Sequence, residues 1–228
     1  MRKIFATVPF LLSLIFAASQ QLSQVSFSGA STLSFFTFIT DQDILIRVSE
    51  DGKLMEWGSE MRSERNMNYY APKLQPFMGR VDYFGPETTD SVIRGKVKSI
   101  GTCMLTYYGA YEKDGKPGKL KSIGSAGLDY YTQFDNAAFK GKLRFAGPLV
   151  LEYYPSIDNE AFRGKLKSVG NTRIQYHSTF DDKMIRGKIK AIGSVSYNWG
   201  TSLDPRQQGV LKSGSYRQNI NGVTYILR

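Results

Sequence analysis

A seven-residue motif recurs at a fixed interval and restricts the fold of this chain more than any other feature. Its five copies are GKVKSIG at 95–101, GKLKSIG at 118–124, GKLRFAG at 141–147, GKLKSVG at 164–170 and GKIKAIG at 187–193. Their leading glycines are 23 residues apart throughout, and a degraded copy, GVLKS, begins at Gly209. A constant interval of this size is typical of a repeat architecture.

Each repeat has the pattern of two short β-strands. Apolar Ala126, Leu128 and Tyr130 alternate with residues of the opposite face, which is a strand signal. Between the strands a Gly-X pair such as Gly124-Ser125 fits a two-residue type II′ turn, because only its first residue needs positive φ. The sequence therefore predicts an all-β fold, an antiparallel meander of tandem 23-residue β-hairpin repeats forming a curled sheet or an open barrel-like array.

The interval between repeats also predicts their register. A two-residue turn and a four-residue loop, closed by Phe134 and Phe139, would advance the chain by one residue more than the interval. One β-bulge per repeat near the Lys-Ser-Ile step removes the difference and turns Leu120 and Ile123 to the same face. This register predicts three cross-strand pairs: Tyr130 with Leu143, Asp129 with Arg144, and Glu152 with Lys167.

The N-terminus has the layout of a secretory signal peptide. A basic start at 1–3 precedes an apolar run to Ala18, which is short for a membrane span, and small residues precede Gln20. We therefore expect export after removal of residues 1–19, to the periplasm, the outer membrane or the medium. Losing Arg2 and Lys3 lowers the net charge from +10 to +8. No transmembrane helix is expected in the mature chain.

The mature chain divides by pattern into three parts. Residues 20–93 form an N-terminal β region with degenerate repeats, expected to cap one end of the array. Residues 94–212 hold the five hairpin repeats and the start of a sixth, and residues 213–228 form a C-terminal strand.

The composition excludes several kinds of chemistry. With one Cys, the chain lacks the residues for a disulfide framework, a zinc site of several thiolates or a CxxC redox pair. With one His, most metal and Ser/His/Asp chemistries lose their usual ligands. Cys103 is expected to be a buried, inert thiol, and His177 replaces a tyrosine of the repeat. The recurring loop aspartates favour turns on conformational grounds. We therefore expect no catalytic residue, no metal, no cofactor and no enzymatic activity.

Positive charge is concentrated in the repeats, where residues 94–212 hold twenty basic and ten acidic side chains, against six and ten in 20–93. Alternation predicts fourteen cations on one sheet face, accompanied by the second tyrosine of each pair. This face is either a solvated outer surface or a platform for an anionic polymer. The candidate binding residues are Lys96, Lys98, Lys119, Lys121, Lys142, Arg144, Lys165, Lys167, Lys188, Lys190, Tyr108, Tyr131 and Tyr154.

The glycine- and tyrosine-rich hairpin repeat resembles the MORN repeat. The order of Tyr-Tyr followed by Gly-Lys-Leu-Lys-x-x-Gly is similar to bacterial antitoxin-like hairpin-repeat proteins, over roughly residues 72 to 213. The resemblance implies tandem hairpins and a binding or scaffolding role, and it transfers no catalytic residue.

The sequence thus favours an exported, non-catalytic β-repeat protein of the cell envelope with a binding or structural role. Expected partners are an anionic envelope polymer, a lipid head group or another envelope protein, and nucleic acid is disfavoured. Two alternatives stay open: an outer-membrane β-barrel, because alternation and aromatic residues also fit one, and an enzyme with its site in the N-terminal region.

Overall fold

All regular structure in the described residues is β-strand, as predicted. The computed structural model describes residues 20–61, 73–112, 114 and 116–228, so the predicted signal peptide lies outside the described residues. The first ten strands are β1 Gln21–Ser28, β2 Thr32–Ile39, β3 Leu45–Val48, β4 Leu54–Ser59, β5 Gln75–Pro76, β6 Val81–Tyr83, β7 Val97–Ile100, β8 Cys103–Tyr107, β9 Leu120–Ile123 and β10 Ala126–Tyr130. The others are β11 Leu143–Ala146, β12 Leu149–Tyr153, β13 Leu166–Val169, β14 Thr172–Tyr176, β15 Ile189–Ile192, β16 Val195–Ser196, β17 Asn198–Trp199, β18 Leu211–Ser213, β19 Arg217–Ile220 and β20 Val223–Leu227.

The repeats form an eleven-stranded antiparallel meander in sequence order from β6 to β16, and β17 and β18 pair as a short ribbon. This confirms the predicted meander of hairpins. A seven-stranded sheet has the order β19-β20-β1-β2-β3-β4-β5. The C-terminal segment forms two strands of this sheet, the hairpin β19–β20, where the sequence suggested one, and β20 lies parallel to β1.

The seven-stranded sheet lies over the inner face of the meander. Three backbone bonds join the sheets: Leu120 N to Gly52 O at 3.2 Å, Leu143 N to Glu50 O at 2.8 Å, and Ile189 N to Ala30 O at 2.8 Å. Side chains of both sheets share one hydrophobic core. The N-terminal region therefore covers the array along its length, which corrects the expected cap at one end; burying the Leu/Tyr face of every repeat requires such a cover.

A bulge occurs in every repeat, at the predicted step. Tyr130 pairs with Leu143 but Asp129 pairs with Phe145, so Arg144 is the extra residue. The same shift recurs in the other copies, and Leu120 and Ile123 are both fully buried. The predicted pairs of Asp129 with Arg144 and of Glu152 with Lys167 are wrong, because each cation is the unpaired bulge residue.

The two kinds of connection differ in length. The short ones are two-residue turns, and Gly124 has φ of 53°, as a type II′ turn requires. The long one spans 132–140 and is closed by a bond from Gly141 N to Tyr131 O at 2.9 Å. Phe134 is exposed while Phe139 packs on Tyr131, so the predicted aromatic closure of this loop is wrong.

The described residues form no helix that is long and apolar enough to cross a membrane.

Candidate functional site

Ten of the fourteen cations of the predicted basic stripe form two rows with different surroundings. The other four are exposed in the loops, each just before a motif glycine: Arg94, Lys140, Arg163 and Arg186. The inner row consists of the lysines that follow the motif glycines, Lys96, Lys119, Lys142, Lys165 and Lys188. Each inner-row ammonium lies over an aromatic ring, at 5.3 Å from Tyr107, 4.7 Å from Tyr130, 5.1 Å from Tyr153, 5.2 Å from Tyr176 and 4.8 Å from Trp199. Three of these rings are the first tyrosine of a Tyr-Tyr pair, Tyr176 and Trp199 occupy the same repeat position, and all five are buried in the core.

Inner-row lysines also bind the backbone of the next repeat. Lys142 Nζ donates to Gly164 O at 2.7 Å and Lys165 Nζ donates to Gly187 O at 2.8 Å. Lys119 makes the equivalent bond to Gly141 O. Because each bond joins one hairpin to the following one, the inner row stabilises the stacking of repeats.

The inner row lies in the seam between the two sheets. Lys142 pairs with Glu50 at 3.0 Å, and Lys165 Nζ donates to Ser31 Oγ at 2.8 Å. Burial lowers the pKa of Lys165 to about 8, and it raises the pKa of Glu50 above its ordinary value despite the neighbouring ammonium. Lys142 and Lys165 are therefore already partnered across the seam, and Lys165 is desolvated there.

A cleft of about 520 Å³ opens along this seam. Its lining includes Thr32, Leu33 and Glu50 from the seven-stranded sheet and Lys142, Arg163 and Lys165 from the repeats. Sequence reasoning missed Glu50 and Ser31, because their contacts form only when the two sheets face each other. The glycine motif alone gave no signal for either residue.

The outer row consists of the bulge residues Lys98, Lys121, Arg144, Lys167 and Lys190. All except half-buried Lys167 are exposed on the open face of the meander. Three of them lie over the second tyrosine of a pair: Lys121 at 5.3 Å from Tyr108, Arg144 at 5.4 Å from Tyr131 and Lys167 at 5.9 Å from Tyr154. The outer row is thus the part of the predicted stripe that the strands themselves present on the open face.

The second tyrosines are less available than predicted. Their hydroxyls donate to carbonyls of the next hairpin: Tyr108 to Leu128 O at 3.0 Å, Tyr131 to Leu151 O at 2.9 Å and Tyr154 to Ile174 O at 2.8 Å. Tyr154 is buried and the other two are half-buried. These tyrosines support the outer row from below, and their hydroxyls bond within the array.

Acidic side chains interrupt the open face. Asp129 pairs with Lys116 at 2.7 Å and Glu112 pairs with Lys121 at 3.4 Å. Ser168 Oγ donates to Glu152 at 3.2 Å. The open face therefore carries alternating charges with a positive excess, and it is less positive than fourteen cations on one surface would make it.

His177 occupies the position of a second tyrosine, as the repeat predicts. Its Nδ1 lies 3.6 Å from Asp181 Oδ1, and burial lowers its pKa. Asp181 accepts bonds from the backbone N–H and the hydroxyl of Ser178, and Asp135 does the same for Thr132. Within the described residues no group of three or more His, Cys, Asp or Glu side chains could hold a metal ion.

No family model, curated protein or solved structure matches this chain. The resemblance to MORN-type repeats therefore stays a prediction.

Proposed function

We propose that this protein is an exported, non-catalytic component of the cell envelope that contacts an anionic polymer through the outer row. The observation that carries the proposal is the repeated placement of a cation at the bulge of each hairpin, exposed in four of the five copies and half-buried at Lys167. Repetition of two strand spacings sets the cations ~9.5 Å apart, a ladder suited to a ligand with repeating negative charge.

The other charged groups support this choice by elimination. Inner-row lysines are engaged by rings, carbonyls and Glu50, so they hold the fold together. The seam cleft places Glu50 among its cations, which balances part of their charge. Three of the exposed loop cations are held by contacts within their own loops: Arg94 donates to Thr88 O, Arg163 pairs with Glu160 and Arg186 donates to Asp181 O. The outer row is the charged surface on the open face that a large ligand reaches without displacing the inner-row contacts, and only the exposed pair of Lys121 with Glu112 would be exchanged for the ligand.

The test is binding to dextran sulfate at increasing salt. The variant Lys98→Gln/Lys121→Gln/Lys190→Gln removes three exposed outer-row charges, and Lys53→Gln/Lys73→Gln/Lys183→Gln removes three exposed charges elsewhere. We expect wild-type affinity to fall by roughly tenfold or more between low and physiological salt. The outer-row variant should bind about tenfold more weakly than the control variant. Equal affinity of the two variants, or binding that ignores salt, would refute the proposal.

A further inference from the structure

Five large apolar side chains protrude from the long loops at one repeat position. Each is 23 residues from the next. Their exposed fractions are 99% for Tyr111, 82% for Phe134, 91% for Ile157, 94% for Phe180 and 88% for Leu203. We call these residues the tip row. Single exposed apolar residues are ordinary, but the same position exposed in five consecutive repeats is a patterned surface.

The tip row is held at one edge of the meander by contacts between neighbouring loops. Asn136 Oδ1 accepts the N–H of Ser156 at 3.1 Å in the next loop. Asn159 and Asp182 accept the N–H groups of Thr179 and Ser202 in the same way, at 3.1 and 3.0 Å. The tips therefore repeat at the hairpin spacing of ~9.5 Å.

The tips do not contribute to the packing of their own loops. In the same loops Phe139 and Phe162 stack on Tyr153 and Tyr176 at 6.2 and 6.4 Å, so the core uses the aromatic five residues later. A polar residue at each tip position would leave these contacts intact. Packing within the folded monomer therefore does not explain why the tip row is apolar.

The loops that carry the tips are nearly neutral, unlike the rest of the array. Residues 109–117, 132–140, 155–163, 178–186 and 201–208 together hold eight acidic and seven basic side chains. The chain as a whole has net charge +10. A neutral edge with apolar tips disfavours an anionic ligand, and it is where two positively charged molecules repel each other least.

We propose that the tip row is a self-association surface, on which a second copy of this chain packs in antiparallel orientation. A second copy presents tips at the same spacing, so each tip of one row can contact one tip of the other. The twofold axis passes through Ile157, Phe134 meets Phe180 of the other copy, and Tyr111 meets Leu203. Burying five such side chains removes on the order of 800 Å² per copy, the size of a standard interface.

The antiparallel orientation follows from charge. The first loop places exposed Glu112 beside its tip, where it pairs with Lys121 at 3.4 Å. The last loop places exposed Arg206 near its tip, and its acidic Asp204 pairs with Lys212 at 3.0 Å. Antiparallel packing brings the unlike charges of Glu112 and Arg206 together, and parallel packing would set Glu112 against Glu112.

The first test is the mass of the protein in solution. Phe134→Ser/Ile157→Ser/Phe180→Ser removes the three central tips, and Met78→Ser/Met104→Ser/Val150→Ser removes exposed apolar residues away from the tip row as a matched control. We expect light scattering after gel filtration to give a dimer for wild type and control and a monomer for the tip variant. A monomeric wild type, a dimeric tip variant, or a monomer captured on phosphatidylcholine vesicles through its tips would overturn the proposal.

Cysteine cross-linking tests the orientation. Cys103 is 1% exposed, and burial raises its pKa to about 11, so it should not react. With copper phenanthroline as oxidant, Ile157→Cys should form disulfide-linked dimers, as should Phe134→Cys mixed with Phe180→Cys. Phe134→Cys alone should stay unlinked, because its two copies lie roughly 19 Å apart; efficient linkage there would refute the antiparallel order. The outer row is intact in these variants, so the outcome of the cross-linking test does not depend on whether the protein binds a polyanion.

Discussion

The inner and outer rows both consist of basic residues, two positions apart in each repeat, yet the inner row makes contacts inside the protein and the outer row lies at its surface. Lys142 lies over a ring, bonds a carbonyl of the next hairpin and pairs with a carboxylate of the other sheet. Arg144, at the bulge of the same repeat, faces solvent above Tyr131. The bulge makes the difference, because it leaves one cation unpaired on the open face while the preceding one stays at the seam.

Loss of one inner-row lysine should have the largest effect. Lys142→Met keeps the alkyl stem but leaves Glu50 without its ammonium and Gly164 O without its donor. We expect the free energy of unfolding to fall by about 2 kcal/mol. The same replacement in the outer row, Lys121→Met, should change it by no more than about 0.5 kcal/mol. Urea denaturation measures both, and equal losses would abolish the distinction between the rows.

The tyrosines beneath the rows should differ in the same sense, by smaller amounts. Tyr130 is buried and its hydroxyl donates to Leu120 O at 2.7 Å, whereas half-buried Tyr131 donates to Leu151 O at 2.9 Å. We expect Tyr130→Phe to cost about 1.5 kcal/mol and Tyr131→Phe about 0.5 kcal/mol. The reverse order in denaturant titrations would contradict the assignment of the inner side as the desolvated one.

His177 offers a gain in stability, because the repeat pattern shows what it replaces. A tyrosine there would place its hydroxyl near Tyr197 O, twenty residues on, as Tyr154 does with Ile174 O. We expect His177→Tyr to raise the free energy of unfolding by about 0.5 to 1 kcal/mol. His177→Phe is the control, since it supplies the ring without the hydroxyl and should recover less.

Periodicity explains how much of this could be predicted. Four equal intervals between the five motif copies were enough to predict the hairpins, the turn glycines and the bulge, because each rests on contacts between neighbouring repeats. The bulge was placed at the correct step, but alternation continued through it gave Arg144 and Lys167 the wrong partners. Because alternation was continued through the bulge, the inner and outer rows were also predicted to lie on the same face of the sheet.

The sequence contains no comparable signal that would predict the contacts between the two sheets. Ser31 and Glu50 lie in non-repeating turns, and their approach to Lys165 and Lys142 depends on how the seven-stranded sheet lies over the meander. No local pattern contains that information. The tip row shows the opposite case, because its period is visible in the sequence but its exposure appears only once Phe139 and Phe162 are seen to fill the core instead.

The smallest expected effect is a dependence on pH that belongs to the inner row. Burial lowers the pKa of Lys165 to about 8, below its ordinary value of 10.5, so folding disfavours the charged form. Between these values the unfolded chain binds more protons than the folded one, and this lysine therefore adds stability as pH rises from 8 towards 10. Below pH 8 the lysine is charged in both the folded and the unfolded chain, so its burial lowers the free energy of unfolding by an amount that does not change with pH.

Lys165→Met should lack this rise. Cys103 titrates in the same range with the opposite sign, because burial raises the pKa of its thiol to about 11, but it is present in both proteins and cancels in the difference. The measurement is the urea midpoint of wild type minus that of the variant at pH 7, 8, 9 and 10. The difference should grow above pH 8 for Lys165→Met. A flat difference would mean that burial in the seam does not disfavour the charged form of Lys165.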